Sequence, residues 1–241
     1  MRINLAISSK GLTSRREADR WIEAGRVRVN GRLATTGMEI NDDDTIEVDG
    51  RIVSGRPSAV YLAYHKPMGI ESTTDRTKPS NILDALAYPE RVFPIGRLDK
   101  DSSGLILFTN DGQIVNRILR SENEHEKEYV VTLERPYDEG FLQAMSSGVE
   151  IYNPVRHERT VTKPCVIKPL SDRTFSIVLT QGLNLQIRRM AKELNHRVVK
   201  LKRIRIMHLH LGDLPEGKWR RLTDAEMNSL LLTVSKDDRA R

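Results

Sequence analysis

The chain has 241 residues, with 39 Lys and Arg against 33 Asp and Glu and a formal net charge of +6. At 38% hydrophobic and 30% charged it is too apolar for a disordered chain and too polar for a membrane protein. No apolar run reaches the roughly 18 residues of a transmembrane helix, and the N-terminus lacks the apolar core of a signal peptide. A single cysteine, Cys165, excludes an internal disulfide and a Cys-rich zinc site. A cytoplasmic protein of one large domain or two unequal ones is expected.

The N-terminal stretch is basic: residues 1–36 hold eight Lys or Arg and three acids, a local net of +5. Ser14-Arg15-Arg16-Glu17 reads as a capping box, the Ser14 hydroxyl taking the Glu17 N–H and the Glu17 carboxylate returning to the Ser14 N–H. A helix from Arg15 to Ala24 follows, closed by Gly25. Ala18, Trp21 and Ile22 share its apolar face, and Arg16 and Arg20 lie one turn apart on another. Val27–Val29 before Asn30-Gly31, and Thr45–Val48 before Asp49-Gly50, are hairpin signals. Residues 1–53 thus read as two short helices on a small antiparallel sheet. So small a module buries little surface and is expected to serve as a binding attachment to a larger domain. The order SRREADRWIEAGRVRVNG strongly resembles the S4 RNA-binding domain. That resemblance implies that Arg15, Arg16, Arg20 and Arg28 face structured RNA. Ser54-Gly55-Arg56-Pro57-Ser58 reads as a linker, assigned to residues 54–59.

From residue 60 to 241, strand-like and helical runs alternate without a regular βαβ repeat. Strands are expected at Val60–Tyr64, Leu105–Phe108, Tyr129–Leu133 and Phe175–Thr180, with one or two more within Val198–Leu211. Helices are expected at Ser80–Ala87, Gln113–Arg120 and Gln186–Asn195, the last from Ile187, Met190, Ala191 and Leu194 at helical spacing. The pattern predicts an α+β fold on a mixed, mainly antiparallel sheet.

A second basic block, residues 185–207, holds eight Lys or Arg against Glu193 alone. Two basic blocks far apart in sequence suit a polyanion touching two surfaces, although solvated helix faces also explain them. Neither GxxxxGK[ST] nor GxGxxG occurs, so nucleotide-cofactor cradles lack support. His208 and His210 have no third ligand in evidence. Asp99, Asp101 and Asp111 could suggest a magnesium nuclease, but turns collect Asp for their own hydrogen-bonding reasons. No metal and no organic cofactor is expected. The informative segment is Gly96-Arg97-Leu98-Asp99-Lys100-Asp101-Ser102-Ser103-Gly104-Leu105, a loop before an apolar strand. An Asp in a partly dry cleft needs a cation to stay ionised, and Arg188 or Arg189 offers one. On spacing alone, a turn-capping surface Asp with Arg97 as local partner is the favoured reading of the segment. Tyr129 alone reads as a core or strand-edge aromatic.

GRLDKDSSGL is similar to the signature of the RNA pseudouridine synthases, RLDxxTSGL. His65-Lys66-Pro67-Met68-Gly69, Lys127-Glu128-Tyr129 and Gly182-Leu183-Asn184-Leu185-Gln186-Ile187-Arg188-Arg189-Met190 follow the same family in order. With the S4-like start, the likeness spans almost the whole chain and points to the RsuA-like ribosomal branch. Within that branch, SRREADRWIEAG, FPIGRLDKDSSGL and HEKEYVV are most similar to F-type large-subunit synthases. The resemblance implies a uridine isomerase acting on ribosomal RNA, with no cofactor. It implies Asp99 as the catalytic carboxylate, Arg188 as its paired cation and Tyr129 as the aromatic that stacks on the flipped base. It implies Arg97 as the side chain that fills the gap left by the extruded nucleotide. Gln186, Arg189, Lys202 and Arg203 are further expected RNA contacts.

Two departures stand out. Leu185 replaces the basic or polar residue usual before QIRRM, and the sequence closes at Ala240-Arg241 without the long basic tail of some F-type relatives. Both are expected to alter RNA contact or target choice. The alternatives are the same reaction on a transfer RNA anticodon loop, and a non-catalytic S4-type RNA-binding or ribosome-assembly factor. The partner expected is structured RNA, ribosomal and possibly transfer RNA, with no membrane. A monomer is expected, since no coiled-coil heptad is evident.

Overall fold

The computed structural model describes residues 1–55, 58–119 and 124–239. Linker residues Arg56 and Pro57, the expected helix end at Arg120, Glu122 in the acidic stretch, and Ala240-Arg241 lie outside them. The chain divides into two compact units, Met1–Val60 with Asn110–Gly112, and Tyr61–Thr109 with Gln113–Arg241.

In the first unit, helices α1 (Ile3–Ser9) and α2 (Arg15–Glu23) accompany strands β1 (Val27–Val29), β2 (Arg32–Leu33), β3 (Ile46–Val48) and β4 (Arg51–Ile52). The strands form one antiparallel sheet in the order β2-β1-β3-β4. Both hairpins turn on paired left-handed residues, Asn30-Gly31 and Asp49-Gly50, as two-residue type I′ turns require. Ile3, Ile7, Ala18, Ile22, Val27 and Ile46 are buried together as the unit's core. The Ser14 hydroxyl caps α2 by accepting from the Glu17 N–H at 3.1 Å. The expected return bond is absent: the Glu17 carboxylate accepts from Arg20 Nη1 at 3.0 Å, a neighbour one turn ahead on the helix.

The second unit is built on β5 (Tyr61–Lys66), α3 (Ile82–Leu86), β6 (Phe93–Ile95), β7 (Ser103–Thr109) and α4 (Gly112–Leu119), the last beginning at the boundary. Next come β8 (Lys127–Leu133), α5 (Glu139–Ser147), β9 (Glu150–Asn153), β10 (Glu158–Val161), β11 (Val166–Pro169), β12 (Thr174–Leu179) and α6 (Gln186–Glu193). It closes with β13 (Val198–Ile206), β14 (Leu209–His210), β15 (Trp219–Arg221) and α7 (Asp224–Arg239). Nine strands make one sheet, β11-β12-β8-β13-β7-β5-β15, with β14 on β13 and β6 on β7. Among the described strands of this sheet, only β7 and β13 pair in parallel. The α+β fold with a mainly antiparallel sheet is therefore the one the patterning implied. One core packs β5, β7, α4 and α7, and a second packs β8, β12, α5 and α6. The parallel β7–β13 pair lies mid-sheet, and the loop before β7 opens there.

Candidate active site

The loop Gly96–Ser102 joins β6 to β7 and is held from several directions. Ser72 fixes Leu98 twice, its hydroxyl donating to the Leu98 carbonyl at 2.7 Å and accepting the Leu98 N–H at 3.0 Å. The Gly69 N–H donates to the Lys100 carbonyl and the Ser102 N–H to the Asp99 carbonyl. Lys100 pairs with Glu71 at 3.3 Å. The glycine at the start of β7 has a steric reason. Gly104 sits at φ +114, and a Cβ there would meet the Arg203 carbonyl oxygen at 2.2 Å. Only glycine lets β7 and β13 approach so closely.

Asp99 is half-buried on the wall of a cleft of about 610 Å³. Burial raises its carboxyl above the ordinary carboxylate range. The charges of Arg188, Arg97 and Lys66 act the other way, in that order, and Asp101 adds to the rise. Lys66 ends β5 fully buried, its Nζ donating to the carbonyls of Pro67 and Ile70 at 2.7 Å each. Desolvation pulls its ammonium down to about 8, with Asp99 and Asp101 opposing. Arg188, on α6, donates from Nη2 to the Asp101 carbonyl at 2.8 Å and from Nη1 to the Val198 carbonyl at 3.1 Å. Tyr129, on β8, faces the cleft beside Arg203, whose guanidinium lies 6.0 Å from its ring centre. Lys127 lines the cleft from the same strand two residues earlier, on the same face.

This is a half-dry carboxylate ringed by cations, with an aromatic ring across the cleft. The family model for RNA pseudouridylate synthase matches residues 60–193, more than half the chain, and that for the S4 domain matches residues 1–46. The chain belongs to the RNA pseudouridine synthases. The synthase is 48% identical to the dual-specificity RNA pseudouridine synthase RluF of Escherichia coli K12, over 97% of this chain and 79% of that protein. It is 35% identical to ribosomal large subunit pseudouridine synthase B of Bacillus subtilis 168, over 95% of each chain. A crystal structure of a pseudouridylate synthase superposes with a TM-score of 0.69 at 30% identity, covering 95% of this chain and 99% of that one. With its N-terminal S4 domain, the synthase is of the RsuA-like type.

The structure brings Asp99, Arg97, Tyr129, Gln186 and Arg203 of the synthase to one cleft. Some implied contacts differ in detail. Among the described residues no ion pair joins Arg188 to Asp99, because the guanidinium is spent on the Asp101 and Val198 carbonyls; its influence on Asp99 is through space. Arg203, grouped with RNA-contacting cations in the sequence, is 4% exposed. Its Nε donates to the Leu105 carbonyl at 2.7 Å and Nη1 to the Arg97 carbonyl at 3.3 Å, so it braces both ends of the loop. Gln186 is buried, accepting the Leu183 N–H at 3.0 Å and donating to Gln181 at 3.2 Å, which shapes the loop before α6. Arg189 is likewise engaged, with Asn184 and the Tyr152 carbonyl. Lys202 is half-exposed on β13. Arg15, Arg16, Arg20 and Arg28 are exposed in the S4 unit. Elsewhere, His208 Nε2 lies 3.1 Å from the Glu226 carbonyl, and Asp111 falls in the other compact unit from Asp99. Sequence reading missed Lys127 as a cleft residue and Lys66 as a buried cation acting on Asp99. Their only signal was position inside the HKPMG and KEY segments.

Proposed function

We propose that the enzyme converts a specific uridine of ribosomal RNA, in the large subunit, to pseudouridine, with Asp99 as the reacting carboxylate. The observation that carries this reading is Asp99 half-buried among Arg188, Arg97 and Lys66 in a cleft shared with Tyr129. The target nucleotide is first extruded, at least cost from a loop. Arg97, exposed on the Gly96–Ser102 loop, fills the vacated stack, and Tyr129 stacks on the extruded base. Asp99 takes the C2′ proton as the N1–C1′ bond breaks, leaving a glycal and a uracil anion. Donors and cations in a water-poor cleft stabilise that anion. The base turns, C5 bonds to C1′, and Asp99 returns its proton to C2′. C5 then loses its hydrogen and N1 gains one, so substrate and product are isomers. Attack on C1′ is the other route open to the same carboxylate.

Residues 1–53 act in this reading as the RNA-gripping module, 54–59 as linker and 60–241 as the catalytic domain. Four exposed arginines, Arg15, Arg16, Arg20 and Arg28, support the first assignment. A second target, a transfer RNA loop, is favoured by the dual-specificity name of the 48% identical relative. Carbodiimide marking of pseudouridine, read as reverse-transcription stops, tests both readings in RNA from a strain lacking the gene and from its parent. One stop missing from large-subunit RNA is the expected result. A stop missing only from a transfer RNA would move the target, and no missing stop would overturn the ribosomal assignment.

A further inference from the structure

Away from the cleft, a pocket of about 280 Å³ is lined by Arg76, Leu83, Tyr88, Glu90 and Arg91 among others, and shares no residue with the cleft. The Tyr88 ring meets the Trp219 ring edge to face, 4.9 Å between centres and 83° between planes. Arg221 Nη2 donates to the Tyr88 hydroxyl at 2.9 Å. Trp219 and Arg221 are two residues apart on β15, so their side chains leave the strand on one face. Arg220, on the other face, is bound by both oxygens of Glu226 at 2.7 Å. Strand β15 ends the sheet's strand order, with β5 as its neighbour. An indole, a phenol and a guanidinium thus stand in a row at a sheet edge, with Trp219 37% exposed.

Arg76 and Lys218 add exposed positive charge, against Asp84, 3.6 Å from Arg76, and Glu90. Planar aromatic and guanidinium groups beside cations fit a nucleobase and its phosphate, whatever the base. The pocket that Tyr88 lines also lies close to the cleft. Thr73 lines the cleft and Arg76 lines the second pocket, and three residues of chain span at most about 11 Å.

We propose that the Tyr88, Trp219 and Arg221 row is a stacking and phosphate site for an unpaired nucleotide flanking the target uridine. The proposal rests on the enzyme acting on RNA, not on which RNA it modifies. Trp219→Ala and, separately, Arg221→Gln are expected to raise KM for a stem-loop substrate about tenfold at unchanged kcat. Trp219→Phe restores the parent KM, because a ring remains to stack. In a Trp21→Phe variant, Trp219 is the sole tryptophan, and a short single-stranded RNA should quench its emission saturably and less as salt rises. Unchanged KM in the Trp219→Ala and Arg221→Gln variants, or no quenching, would overturn the proposal; a surface that docks a protein instead gives that result. Arg221 is exposed, so its variant remains informative if Trp219→Ala fails to fold. Turnover by the parent chain on the same RNA separates failure of this site from failure of the isomerase reading.

Discussion

Asp99 carries the central chemical tension of the molecule. Burial raises its pKa, and the nearby Arg188, Arg97 and Lys66 limit the rise. The proposed role needs the ionised carboxylate, so kcat should fall on the acid side at a pH above the ordinary Asp value. Arg188→Met removes the largest opposing charge and is expected to move that limb to higher pH while lowering kcat. Single-turnover pH–rate profiles of both proteins check the direction. For stability the sign is reversed. The folded Asp99 holds its proton more tightly than the unfolded chain does, so its contribution is most favourable at low pH and is lost as pH rises through the folded value. Gly104→Ala forces a Cβ to within 2.2 Å of the Arg203 carbonyl. We expect a loss of about 3 kcal/mol or more, measurable by denaturant unfolding. Asp99 was legible because it sits inside a distinctive string. Lys66 and Arg203 were not, because sequence displays charge and conceals depth: one is 0% and the other 4% exposed.

Elements with local signals were read close to their observed bounds. Helix α2 carries its cap in Ser14, and both hairpins carry Asn-Gly or Asp-Gly. Strands β9, β10 and β11 went unread because they are short and largely exposed, with only Ile151 and Asn153 buried among them. Helix α7 went unread for a related reason: its sequence is only weakly amphipathic, with Leu230 its buried anchor. The departure at Leu185 has a local consequence. Leu185 is the N-cap of α6, at φ 52 and with no side-chain cap bond. A branched apolar residue is strained there and leaves helix N–H groups uncapped. Leu185→Asn, which tolerates the left-handed region and can cap, should gain about 1 kcal/mol. A raised Tm in thermal unfolding would bear this out, and a lowered one would show that Leu185 packing outweighs its strain.

Across the whole molecule, charge placement says more than the net of +6. The S4 unit's arginines are exposed, whereas several cations of the second basic block are spent on the fold: Arg188, Arg189 and Arg203 bind backbone carbonyls, and Arg205 pairs with Glu126 and Glu128 at 2.9 Å. Composition shows the charge of that block but not how much of it the fold itself uses. RNA affinity should fall as salt rises, since phosphate contacts release counterions. Arg16→Gln should flatten the slope of log K against log salt by about one, while Arg203→Gln should act on turnover and folding instead. Filter binding over a salt series distinguishes the two.

The most direct test of the account is Asp99→Asn on RNA tritiated at C5 of uridine, because pseudouridine formation sends that hydrogen to water. The intact enzyme should release tritium to the extent of one site per RNA. The variant should release none while binding the same RNA within about twofold, since an amide keeps the side chain's shape but is no base. Substantial release by Asp99→Asn would contradict the assignment of Asp99 as the reacting carboxylate.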